Sequence, residues 1–233
     1  GFEDNAPFAI GRLPITNDAE GVAYIDKLIA YESTTPGPER FEAVLVADNP
    51  DDAGDFYANS DQLASRLLGT LGFTRVTKLY HPIVDVGAGL ADSATWDTGY
   101  LSYDGHGSVS RIGDYREKFM DSTIASVLTN ANYPIFTALT CAVGDDTLPG
   151  TRSLASALVL NPTGGAIASV APTGLSLDAD AQILGNALVD SLFGASNTIG
   201  QAVSDAKVET SGYISDFMPR MYSVIGEPGV YAR

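Results

Sequence analysis

At 233 residues, 45% of them hydrophobic, the chain is long enough to bury one sizeable core or two small packed halves, which excludes a disordered polymer. Its 13 basic and 29 acidic residues leave a net charge of −16; a polyanion of this kind is repelled by nucleic acid and anionic membranes, and suits a cationic substrate or solubility in a salty, extracellular setting. One cysteine, Cys141, allows no internal disulfide, and no apolar run approaches the ~18 to 20 residues of a membrane-spanning helix.

Along the chain, Asn17 with Glu20 three residues later has the form of a capping box, and Val22, Ile25, Leu28 and Ile29 then recur at helical spacing. That helix is expected to end before Thr34-Thr-Pro-Gly-Pro38. Residues 42–47 are a short apolar, β-branched run, as expected of a strand buried on both faces. The loop after it, from Asp48 to Asp55, is rich in turn formers. A second helix is predicted over residues 61–71, stopping near Gly72, then a strand over 75–80, a short helix within 85–96 and a strand over 100–103. The pattern is helical over 115–128, strand-like over 135–139 and helical over 153–160. A buried strand at 166–170, helices over 178–192 and 197–207 and a strand at 221–225 complete the chain. Short strands alternating with helices imply a doubly wound, mostly parallel sheet with right-handed crossovers. With no repeat and no low-complexity linker, one domain over residues 1–233 is the economical reading.

Two of the predicted strands run into reactive side chains. Tyr100-Leu-Ser-Tyr-Asp-Gly-His-Gly-Ser108 carries His106, and Pro134-Ile-Phe-Thr-Ala-Leu-Thr-Cys-Ala142 carries Cys141. A free thiol has a pKa of about 8.5 and attacks as thiolate, so a catalytic cysteine needs a neighbouring imidazole. If the strands are parallel neighbours, both groups emerge at the carboxyl edge of the sheet, where open α/β proteins place their sites. Cys141 then reads either as a small buried hydrophobe or as a nucleophile, and its strand-end position before the turn-like Val143-Gly-Asp-Asp146 favours the second. His106, between two glycines, suits close approach of backbone to a substrate. His81, in Tyr80-His-Pro82, starts a turn and reads as structural.

These blocks resemble the gingipain family of cysteine peptidases, in the caspase-like clan. Beside Gly105-His-Gly-Ser108 and Thr140-Cys-Ala-Val-Gly-Asp145, the likeness includes Phe8-Ala-Ile-Gly-Arg-Leu-Pro14, residues 27–32, Asn161-Pro-Thr-Gly-Gly-Ala-Ile-Ala168 and Tyr222-Ser-Val-Ile-Gly-Glu-Pro-Gly229, in the family's order. Two features depart from it. Family members often carry a tryptophan shortly after His-Gly-Ser, where this chain reads Val109-Ser-Arg-Ile112, and the family's upstream segment is missing, so a processed or excised catalytic fragment is expected.

The resemblance implies a caspase-like three-layer α/β sandwich, with a mostly parallel sheet flanked by helices, and a secreted or cell-surface cysteine endopeptidase acting through a thioester on proteins or peptides. It implies Cys141 as nucleophile, His106 as general acid and base, and the Gly107 and Cys141 N–H groups as oxyanion donors. Asp48 matches the family's acid that holds the histidine, although an Asx-type turn would explain it equally. Cleavage after Arg or Lys would draw on Asp61, Asp178 or Asp180; alternatively, Asp61 is a helix N-cap and the other two are favourable charges at a helix start. No cofactor is required by the likeness, though family members often bind structural calcium, for which Asp51, Asp52, Asp55, Asp145 and Asp146 are candidates. A processing peptidase or transpeptidase of secreted proteins, and a catalytically silent binding module, are the rival readings.

Overall fold

The computed structural model describes residues 9–114, 116–195 and 197–232. Its strands are β1 (Gly11–Arg12), β2 (Glu42–Ala47), β3 (Arg75–Tyr80), β4 (Tyr100–Asp104), β5 (Gly107–Ser108), β6 (Arg111–Ile112), β7 (Met120–Asp121), β8 (Ile135–Leu139), β9 (Ala168–Pro172) and β10 (Tyr222–Ile225). The helices are α1 (Asp18–Ser33), α2 (Phe56–Gly69), α3 (Val86–Ala91), α4 (Ser122–Ala125), α5 (Leu154–Leu160), α6 (Asp178–Val189), α7 (Ile199–Thr210) and α8 (Met218–Met221).

Seven strands form one sheet in the order β1-β10-β9-β8-β4-β2-β3, in which only the β9–β10 pairing is antiparallel. The central strands β2, β4, β8 and β9 are buried almost throughout, which is why they read as continuous apolar runs. Leu63 and Leu67 of α2, Leu184 and Leu188 of α6 and Val203 of α7 cover one face. Val86 and Leu90 of α3, Trp96 and the wholly buried α5 cover the other. The result is the three-layer, mostly parallel α/β sandwich expected.

Three local readings differ from the structure. The stretch predicted as a helix over 115–128 is β7 followed by the single turn α4, with Tyr115 outside the described residues. Here β5, β6 and β7 make a small antiparallel sheet that begins directly after His106. Helix α2 starts earlier than predicted, because Asp55 caps it by accepting from the Ala58 N–H at 3.0 Å.

The third difference concerns α1. Asn17 caps it through the Glu20 N–H as expected, but Val22, Ile25 and Ile29 are 58%, 55% and 56% exposed, while Tyr24, Lys27 and Tyr31 are buried. Amphipathic side chains win this face because each offers a large apolar body whose polar tip finds a partner. Tyr24 donates its hydroxyl to the Ile167 carbonyl at 3.1 Å and accepts from the Glu227 N–H at 2.7 Å.

Lys27 Nζ faces four carbonyls, those of Val159 at 2.6 Å, Asn161 at 2.8 Å, Gly164 at 3.1 Å and Ala166 at 3.2 Å. It thereby ties α1 to the loop between α5 and β9. Lys27→Met should destabilise the protein by about 3 kcal/mol, since these buried acceptors lose their donor, and chemical denaturation will measure it. Burial pulls the Lys27 pKa down to about 7. An unfolded lysine holds its proton to about pH 10.4, so this residue's contribution to stability rises with pH between those values and falls as pH drops towards 7. The Lys27→Met variant should lose that slope.

Candidate active site

Strand β4 pairs in parallel with β8, with Asp104 opposite Leu139 in register. His106 and Cys141 each lie two residues beyond that pair, so both leave the sheet at its carboxyl edge from adjacent strands. The loops that carry them are in contact. A Cβ at Gly107 would sit 2.5 Å from Thr140 Oγ1 and 3.2 Å from Val143 Cγ1, so this backbone approaches the cysteine loop as only glycine allows. Gly105 has φ +149°, and a side chain there would strike Asp48 and the Tyr103 hydroxyl. Those two glycines set the direction in which His106 leaves β4.

The thiol stands on a strained turn. Ala142, the next residue, has φ 54°, a left-handed conformation that costs a non-glycine residue roughly 1–2 kcal/mol. It is held there because its N–H donates to the Gly174 carbonyl at 2.9 Å while its carbonyl accepts from the Asp145 N–H at 3.0 Å. Cys141 Sγ accepts from the Ser176 N–H at 3.4 Å and lies 3.9 Å from the Ser176 carbonyl. The segment before α6 thus runs directly beside the thiol, and Leu175 and Leu177 within it are exposed.

The His106 ring packs edge-on against Phe56 at 5.5 Å between centroids. Its Nε2 lies 2.7 Å from Asp51 Oδ2, so the acid that meets the imidazole is Asp51. Partial burial works against the charge on Asp51, but hydrogen bonds from His106 and from the Ala53 and Gly54 backbone hold its pKa below the usual carboxylate value. Asp48 is placed differently from expectation. Its Oδ1 accepts the Asn49 N–H at 2.8 Å, and burial raises its pKa against the opposing effect of the Asn49 and His106 backbone N–H groups. It therefore holds the start of its own loop, while Asp51, three residues further round that loop, reaches the ring.

His81 is remote from this pair in its contacts. It precedes a cis proline, its ring tilts against Phe119 at 5.0 Å, and its Nε2 lies 3.6 Å from Glu117.

Of the three acids expected to read a basic side chain, only Asp178 stands next to the thiol's neighbours, two residues after Ser176. Asn59 Nδ2 donates to both its oxygens, at 3.0 and 3.1 Å. Asp180 accepts the Ser215 N–H at 2.9 Å and so ties down the loop before α8. Asp61 lies inside α2, not at its cap, and is held at 2.7 Å by both Lys78 and the Tyr80 hydroxyl, which lower its pKa. It sits over the edge strand β3, three strands from β8, or about 14 Å at ~4.8 Å per strand; its proximity in sequence to the loop after β2 does not bring it to the thiol.

The acidic loops are likewise committed elsewhere. Asp55 caps α2, Asp145 accepts from Thr147 at 2.9 and 2.7 Å, and Asp146 accepts from the Ser153 N–H at 3.2 Å and the Ser156 hydroxyl at 2.6 Å. Among the described residues no three His, Cys, Asp or Glu side chains are grouped to hold a metal ion.

A thiol and an imidazole leaving adjacent parallel strands, at one edge of a sheet covered on both faces by helices, define a caspase-like α/β protein. The model of peptidase family C25 matches residues 3–231, and the chain belongs to that family. Among solved structures it is similar to the Arg specific cysteine proteinase gingipain R, with TM-score 0.83 at 21% identity over 100% of this chain and 57% of that one. The complex of Porphyromonas gingivalis RgpB pro- and mature domains gives 0.85 at 21% identity, over 100% of this chain and 58% of that one. The separase–securin complex of Saccharomyces cerevisiae is more distant, with TM-score 0.58 at 15% identity over 88% of this chain and 13% of that one. These likenesses show a shared fold, and the chain spans just over half the length of the gingipain chains it matches. No curated protein sequence matches it.

Proposed function

We propose that the chain is the catalytic unit of a secreted or cell-surface cysteine endopeptidase, which cuts protein or peptide substrates after Arg or Lys through a thioester on Cys141. The observation that carries this reading is that His106, held by Asp51, and Cys141 each stand two residues beyond the register pair of the adjacent strands β4 and β8, in a member of peptidase family C25. The thiolate adds to the scissile carbonyl carbon and forms a C–S bond, and the N–H groups of Gly107 and Cys141 receive the developing oxyanion. As the C–N bond breaks, His106 gives its proton to the leaving amine. It then takes one from the water that attacks the thioester, which releases the acid and restores the thiolate. Asp51 stabilises the imidazolium and fixes the ring.

Basic specificity is supported by the half-buried carboxylate of Asp178 beside the Ser176 segment and by the chain's acidity; gingipain R, similar in fold, is described as Arg specific. Among the described residues no helix is long and apolar enough to cross a membrane. The test is a library of peptide acyloxymethyl ketones followed by mass spectrometry. Arg and Lys members should modify Cys141; an adduct on another residue would overturn the nucleophile, and labelling by apolar or acidic members alone would overturn the specificity.

The acid on the ring has its own test. Asp51→Asn should lower kcat on the order of tenfold or more, because the imidazolium loses its counter-charge, whereas Asp48→Asn should act on stability more than on rate. Steady-state kinetics of the two variants, with melting curves, separates these effects.

A further inference from the structure

Asp104 ends β4 and is only 4% exposed. One of its carboxylate oxygens, Oδ1, is buried with no hydrogen-bond partner, and so is the hydroxyl of Ser102, two residues earlier on the same face of the strand. Both residues line a cavity between the sheet and helices α2 and α6, together with Asn59, Leu139, Gln182 and Asn186. A carboxylate taken out of water without a donor or a counter-charge is costly, and among the described residues no basic side chain lines this cavity. The three amides do not remove the deficit. Asn59 Nδ2 donates to Asp178 at 3.0 and 3.1 Å, while Gln182 Nε2 and Asn186 Nδ2 donate to Gln62 Oε1 at 2.7 and 3.4 Å. What they have left to offer is mainly carbonyl oxygen, so the cavity is rich in acceptors and short of a cationic donor.

Its position ties it to the site already described. Leu139 lies two residues before Cys141, Asp104 two before His106, and Asn59 holds Asp178, two residues after the Ser176 whose N–H meets the thiol. Two strand residues span about 7 Å at ~3.3 Å each, a reach that suits the extended side chain of one long basic residue. Asp178 is already satisfied, since both its oxygens accept from Asn59 and its carboxylate packs against Gly54, where a Cβ would stand 2.1 Å from Oδ2. The acid left without a partner is Asp104.

Size then decides between the two basic side chains. The cavity encloses about 10 Å³, room for a single water-sized group. A lysine ammonium is a compact point charge with three donors, whereas an arginine guanidinium is a broad planar fork. We infer that this cavity is the deep end of the pocket for the residue before the cut bond, where Asp104, with Ser102 beside it, receives the ammonium of lysine, so that the chain prefers Lys to Arg. This rests on the basic specificity proposed above and names the residue selected. An arginine side chain is too wide at its tip to enter; its guanidinium meets only the outer acid, Asp178, and leaves Asp104 unpaired.

Peptides that differ only in the residue before the cut test this on the unaltered protein. The value of kcat/KM should be at least about tenfold higher with lysine than with arginine. It should fall again with ornithine, whose ammonium is one methylene short, and with ε-acetyllysine, which keeps the length and loses the charge. Asp104→Asn, shown by circular dichroism to be folded, should lower kcat/KM for the lysine peptide on the order of 10²-fold, the loss typical when one partner of a buried charge pair is removed. The arginine peptide should change far less, so the preference collapses, whereas a merely structural role would depress both substrates alike. Ser102→Ala should shift the ratio in the same direction by a smaller factor. An arginine preference in the unaltered protein, or equal losses for the two peptides in folded Asp104→Asn, would mean that the cavity holds a buried water only, and would overturn the inference while basic specificity stands. A preference for neutral residues before the cut would overturn both. Because the lysine, ornithine and arginine series is read on the unaltered protein, the inference stays falsifiable even if Asp104→Asn folds poorly.

Discussion

Replacement of Cys141 by alanine should reduce peptide hydrolysis by at least about 10⁴-fold and leave the fold intact. The loss is large because no other side chain at this edge can form the acyl intermediate: the chain has one cysteine, and the hydroxyl closest to it along the chain, Thr140 Oγ1, is buried beneath Gly107. Without the thiolate the mechanism loses its covalent step, and groups that act as a unit fail together when one is removed. The fold should tolerate the change because the Cys141 side chain is only half-buried, and its hydrogen-bond contacts are to the Ser176 backbone. Stability should shift by no more than about 1 kcal/mol. Circular dichroism with a fluorogenic peptide assay decides the matter, and turnover surviving in Cys141→Ala would remove the nucleophile assignment.

The second large effect is expected at His106. His106→Ala should lower kcat by the roughly 10² to 10⁴ typical of an acid–base group, because both the departing amine and the incoming water depend on the same ring. His81→Ala provides the contrast. That imidazole packs on Phe119 and lies near Glu117, and its own carbonyl accepts from the Tyr57 hydroxyl. Its loss should therefore register in stability and hardly at all in rate. Equal losses of kcat in the two variants would mean that the rate reports folding rather than proton transfer.

Much of the sheet was legible because buried strands announce themselves. β2 and β8 occupy the predicted residues, since short apolar, β-branched runs between turn formers have few other uses; the exposed edge strand β3 also lies where predicted. Hydropathy misled where tertiary packing asked for amphipathic bodies: α1 buries Tyr24, Lys27 and Tyr31 and exposes Val22, Ile25 and Ile29. The helical pattern after residue 115 failed for a related reason. Local periodicity there competes with the antiparallel pairing of β6 and β7, which hydropathy spacing does not report.

At the site, the sequence by itself singled out the candidate thiol and imidazole. The chain has a single thiol and two imidazoles, and only His106 has the glycine-flanked, strand-end setting, because a group that must face substrate at a sheet edge has to follow a strand directly. Which carboxylates serve that pair was decided only by the tertiary structure. Asp48, Asp51 and Asp55 share one turn-rich loop, and the path of its backbone sends Asp48 to its own main chain, Asp51 to the imidazole and Asp55 to a helix cap. Likewise, strand order puts Asp61 over the far edge strand with Lys78 and Tyr80, whereas Asp178 is met by Asn59 of α2, far away in sequence. Backbone periodicity and turn chemistry act over a few residues and can be read locally, but a carboxylate's partner depends on distances of a few ångströms between segments that only the packed sheet brings together.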